Sequence, residues 1–166
     1  CHFGQPAPMD RRGLPVKLHH FLLFIHLAGV VVWVGGMAFA HFCLRPAALA
    51  LPPAQRLGLW RAVLGRFFRI VWVAIAVIVV SGFAMLLEVG FAQAPRSWHV
   101  MAAIGLLMAA IFASIWFGPW RALQQAVAAE SWAQGAQALN LIRQRVTLNL
   151  VLGTLTVALA TLGLAY

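Results

Sequence analysis

Four stretches of this chain, at about 18–43, 70–90, 99–118 and 146–166, are apolar with few interruptions. Each approaches the ~20 residues that a helix needs to cross the hydrocarbon core of a bilayer, where only a helix or a closed barrel can satisfy its own backbone. The pattern predicts an all-α membrane protein, a four-helix antiparallel transmembrane bundle over residues 18–166, preceded by a tail at 1–17. The first span opens after Pro15 and closes at "CLRPA", where Pro46 disfavours further helix and Arg45 can snorkel to the interface. Beyond the Pro52-Pro53 turn, residues 54–66 read as a short surface helix with Leu57, Trp60 and Leu64 on its apolar side. The second span stops at Gly90, and the short connector "FAQAPRSW" makes spans two and three antiparallel neighbours. The third ends at Gly118-Pro119, and the Ala/Gln-rich segment 119–145 is expected to be helical but too short for a folded domain. Thr147, Thr154 and Thr161 recur every seven residues on the fourth span, a packing stripe bonding to backbone or to a neighbouring helix.

Composition agrees: 63% of the 166 residues are hydrophobic, 9% are charged, and the mean hydropathy is +0.90. The net charge of +9 does not indicate nucleic acid, because the basic residues flank apolar spans instead of clustering among exposed aromatics. They set topology instead. Alternating spans leave Arg11, Arg12, Lys17 and Arg96 on one side and Arg45, Arg56, Arg61, Arg66, Arg69, Arg121, Arg143 and Arg145 on the other. The richer side is expected to be cytoplasmic, with both termini on the outer side. Met9 begins "MDRRGLPVKLHH", which would serve as a start and leave residues 1–8 as upstream sequence. The first apolar run is too long for a signal-peptide core and is read as a retained span. Cys1 and Cys43 form no metal or redox spacing, and Cys43 is expected to be a buried free thiol.

The chemistry of interest sits in "HLAGVVVWVGG", residues 26–36. An ionisable side chain inside a span is costly and points to function. At ~100° per residue, His19, His26 and Trp33 share one helix face, with Gly29, Gly36 and Met37 beside it. His99 opens the third span above a stripe of small residues, Ala102, Ala103, Ala109, Ala110 and Ala113, and Met85 and Glu88 end the second span on the same outer side. Two chemistries fit. Copper(I) accepts imidazole and thioether, which makes His26, His99 and Met85 a soft site. A b-type haem could instead be clamped by His26 and His99, with Gly29 and the alanine stripe making room for the macrocycle. The plain alternative is that both histidines only bond neighbouring helices. His19 and His20 read as interfacial residues, Met101 and Met108 as packing, and Glu88 as a hydrated carboxylate at a helix end. No nucleophile triad, phosphate loop or carboxylate pair is present.

Residues 17–49, "KLHHFLLFIHLAGVVVWVGGMAFAHFCLRPAAL", resemble the opening helix of the CopD copper-resistance domain, with its histidine, tryptophan, glycine pair and closing Leu-Arg-Pro. "RFFRIVWVAIAVIVVSGFAMLL" is similar to that family's next helix; the resemblance is good over 17–90 and looser beyond. It implies copper binding, uptake or resistance at the bacterial inner membrane, with His26 the first residue to carry over and a periplasmic copper carrier or a redox partner alongside. HemJ-type haem-binding membrane oxidases share the histidine and aromatic-glycine region of the first helix, which would make the protein an oxidoreductase or cytochrome with haem b. The departure at "LRPAAL" favours CopD. Under the copper reading His26, His99 and Met85 hold the ion, Trp33 shapes the pocket, and Gly29 and Gly36 permit close approach. A subunit without a cofactor is the third expectation.

Overall fold

The computed structural model describes residues 16–162, and within them every regular element is helical. α1 (Val16–Phe39) continues through a π-helical turn (Ala40–Leu44) into a final turn, α2 (Arg45–Ala48). The helix therefore runs past Pro46, where the sequence reading ends it. Proline lacks the N–H of a plain helix and crowds the carbonyl four residues back. The wider π turn just before it, and its place in the first turn of α2, ease both conflicts.

α3 (Pro53–Val89) is a single 37-residue helix, not a surface helix followed by a span. Only Gly65 interrupts its good helix formers near the expected break, and one glycine costs about 1 kcal/mol, too little to end a helix that is packed on both sides of it. Leu57, Trp60 and Leu64 are buried, as their spacing implied. The helix ends at Gly90, which takes φ 85° and donates its N–H to the carbonyls of Leu86 and Leu87. After the short connector come α4 (Arg96–Phe117), α5 (Pro119–Ala128) and α6 (Trp132–Thr161). The segment expected as one helical extension is divided at 129–131, where Glu130 adopts φ 54° and turns the chain back on itself.

α1 packs along α3, α4 and α5 pack on α6, and α1 also meets α6. Lys17–Ala48, Pro53–Val89 and Arg96–Ala128 are long and apolar enough to cross a membrane. α6 is not among them over its described length, because Asn140, Arg143, Gln144, Arg145 and Asn149 share the helix with its apolar residues. The end of the expected fourth span, 163–166, and the expected start at Met9 lie outside the described residues. The outward faces of α1 and α3 carry exposed Phe21, Phe24, Val31, Val73 and Val80, an apolar surface suited to lipid.

Polar ties hold α6 to α4. Asn149, fully buried, donates from Nδ2 to the Met108 carbonyl at 3.0 Å, and Arg145 donates to the Ser114 carbonyl at 2.9 Å, one of the carbonyls left open at the C-terminus of α4. Thr154 and Thr161 bond back to Leu150 and Val157, while Thr147 meets His41, in line with a packing stripe. The core is aromatic. Phe112 receives Trp72, Phe68 and Trp33 edge-on at centroid distances of 5.2, 5.3 and 6.3 Å, a geometry in which ring edges meet ring faces.

Candidate functional site

Two histidines seven residues apart on α1 face two polar residues seven apart on α3. His19 Nδ1 lies 2.9 Å from Oε2 of Glu88, and His26 Nδ1 lies 3.0 Å from Oγ of Ser81. Equal spacing on antiparallel helices is what brings both pairs into register: one heptad down α1 is one heptad back along α3. Glycines close the gap. A methyl group on Gly29 would press against the Ile78 side chain, and one on Gly82 would stand 3.1 Å from Cε1 of His26.

The hydrogen bonds fix which ring nitrogen is free. Ser81 directs its hydroxyl proton to the Val77 carbonyl at 2.6 Å, so toward His26 it can only accept, and His26 Nδ1–H must donate. The Glu88 carboxylate likewise accepts from His19 Nδ1–H. A neutral ring held in this way has a bare Nε2, the arrangement in which a carboxylate or hydroxyl orients an imidazole that binds a metal. Seven residues of helix separate the two by about 10 Å, too far for one ion to touch both rings.

Met85 is buried on the same face of α3, four residues beyond Ser81 and three before Glu88. The Glu88 side chain is only 1% exposed, against 31% for His19, and its Oε1 is buried without a hydrogen-bond partner. A carboxylate oxygen held from water with nothing donating to it is an unmet acceptor. The seam thus offers imidazole nitrogen, carboxylate oxygen and thioether sulfur, a set that copper accepts in both its common oxidation states. Among the described residues, no three His, Cys, Asp or Glu side chains are grouped as a ligand set.

The other expected residues are dispersed. His99 is exposed at the start of α4, its ring beside Phe91 and its Nε2 donating to the Phe91 carbonyl at 3.1 Å, so His26 and His99 are engaged by different partners. Trp33 is buried in the aromatic core, against Phe112. Gly36 lies under the Phe67 ring, so the close approach it permits is that of α3. Ala103 and Ala110 of the alanine stripe are exposed, and Met108 is core.

Two readings are corrected here. Glu88 is not a hydrated helix-end carboxylate, because His19 and the end of α3 enclose it. Cys43 is a free thiol, but it is exposed, since the π-helical turn carries it on the outward side of the chain. The matched intervals 19/26 and 81/88 were the signal for the Glu88 and Ser81 partnerships.

Neither the curated proteins nor the solved structures contain a match to this chain. The family model for copper resistance protein D matches residues 61–162, which takes in the second half of the chain as well as the helix whose resemblance was noted. A match over about three-fifths of the length, on a chain whose helices are built to cross a membrane, settles the relationship: this membrane protein belongs to the CopD copper-resistance family.

Proposed function

We propose that this chain handles copper at the bacterial inner membrane, taking the ion along the α1–α3 seam in the outer half of a four-span bundle whose termini both face outward. One observation carries the reading: His19 and His26 both turn Nδ1 to a polar partner on α3, a heptad apart, with Glu88 Oε1 unpaired and Met85 buried between their partners. A ligand pair repeated along a helix suits cargo that moves. Binding at each station must be firm enough to admit an ion and weak enough to release it. The outer station, His19 with Glu88, offers nitrogen and a hard, anionic oxygen, while His26 with Met85 offers nitrogen and soft sulfur. His99, exposed where α3 turns into α4, serves as a surface ligand for capture and not as the partner of His26. Beyond His26 the seam closes on Trp33 and the aromatic core, so onward passage requires that core to move. A periplasmic copper carrier would deliver ions to, or collect them from, the His19 end.

Copper uptake by cells producing wild-type, His26→Ala and Glu88→Gln proteins tests the reading, together with copper(I) titration of the purified proteins and an absorption spectrum before and after reduction. Loss of uptake and weakened copper binding in both variants is expected. Unchanged copper binding in both would overturn the site, and a Soret band with iron near one per chain would replace copper by haem b held by the same histidines.

A further inference from the structure

At the opposite end of the molecule, hydrogen-bond donors converge without an acceptor. The Arg143 guanidinium on α6 lies over the Trp60 ring of α3 at 5.2 Å. Its Nε and Nη2 are buried without a partner, and so is Nε1 of Trp60. Both residues border one cavity of about 30 Å³, which Arg45 and His41 also line, with Leu64 and Leu139 among its apolar walls. Every unmet group there is a donor.

The charge is equally one-sided. Burial holds the Arg143 guanidinium below its ordinary pKa, and the charges of Arg45 and Arg56 push the same way. Among the described residues no carboxylate pairs with Arg143; the one carboxylate contact to a basic side chain joins Glu88 to His19 at the far end. A water could fill such a cavity and accept from two donors, but it would not offset the charge of Arg143 and of the arginines near it. An anion does both. The Nε–Nη2 edge of arginine matches two oxygens of one planar or tetrahedral anion, and the cavity admits the tip of such a group while the rest stays at the mouth. Two arginines at the cavity, and a third, Arg56, near enough to act on Arg143, favour phosphate over a carboxylate, because phosphate offers more oxygens.

We propose that Arg143 and Arg45, with the charge of Arg56 nearby, form a binding site for a phosphate group, from a lipid headgroup or free phosphate.

The test is thermal unfolding of the purified full-length chain in neutral detergent, titrated with short-chain phosphatidylglycerol, with a neutral glycolipid of equal acyl length, and with inorganic phosphate. The midpoint should rise with phosphatidylglycerol but not with the glycolipid. The concentration needed should increase at least about tenfold in Arg143→Gln, as expected for loss of a two-point charged contact. Arg45→Gln/Arg56→Gln, which leaves Arg143 on its ring, should show the same weakening and decides the matter if Arg143→Gln does not fold. A response to inorganic phosphate alone, lost in the variants, supports the site with free phosphate as its source. No response to either phosphate compound, or an equal response in wild type and variants, overturns the proposal.

Discussion

His19 Nδ1 lies 2.9 Å from Glu88 Oε2, which joins the first turn of α1 to the last turn of α3 around a carboxylate that is 1% exposed. A buried charge is tolerated only when it is paired, and here one oxygen of the two is paired. Glu88→Gln keeps the shape and a hydrogen bond to His19 but removes the charge. Copper affinity is expected to fall by about ten- to hundredfold, as when the group orienting a metal-bound histidine is lost. Copper(I) competition titration reads this, with an unchanged far-UV spectrum as the check on folding.

Ser81 is expected to act on copper through His26 alone. Ser81→Ala deletes the acceptor that holds His26 Nδ1–H, yet costs the fold little, because the hydroxyl proton serves only carbonyls of its own helix. Binding should weaken by about tenfold while stability changes by less than about 1 kcal/mol. His26→Ala should weaken binding more than Ser81→Ala; the reverse order would show that the serine itself is the ligand.

Gly36→Ala places a methyl group into the Phe67 ring, so α1 and α3 must separate or the ring must leave its place. A loss of about 1–3 kcal/mol is expected from such overpacking, measured by thermal unfolding in detergent. Gly35→Ala, one residue away with open space around its added methyl, is the control and should be neutral or slightly stabilising.

Asn149→Ala removes the tie from α6 to the Met108 carbonyl. Interhelical hydrogen bonds of this kind contribute about 0.6 kcal/mol on average in membrane proteins. A loss of that order, without change in copper binding, is expected, because the tie lies between α4 and α6 and the copper seam lies between α1 and α3.

Three of the four expected spans could be read from the sequence because their apolar length exceeds what a soluble helix needs, and His26 stood out because imidazole is expensive in such a setting. Glu88 did not, since its burial depends on a partner 69 residues earlier. From its own neighbourhood, one turn before Gly90, a carboxylate looks hydrated. His99 shows a related limit: periodicity places a side chain on a face but does not say which helix lies opposite, and its nitrogen goes to the preceding turn. Pro46 and Gly65 show the limit of local breakers, which a π turn and a long packed helix absorb. The family was legible in residues 17–90, whereas the family model matches 61–162; the shared stretch, 61–90, is the α3 segment that bears Ser81, Met85 and Glu88.

The π-helical turn at Ala40–Leu44 also lets the first helix absorb a residue of chain length. Such a turn stores one residue more than a plain helix of the same rise would hold. Deleting a single residue there should return the turn to plain α-helix with little change of phase, because five residues of π turn advance the chain by about the same angle as four of α-helix. Arg45 would keep its direction toward Arg143, and His19 and His26, upstream of the turn, would keep their places on α3. The phase between the two ends of the first helix is in this sense buffered, because one amino acid of spacing, whatever its side chain, is taken up at the turn.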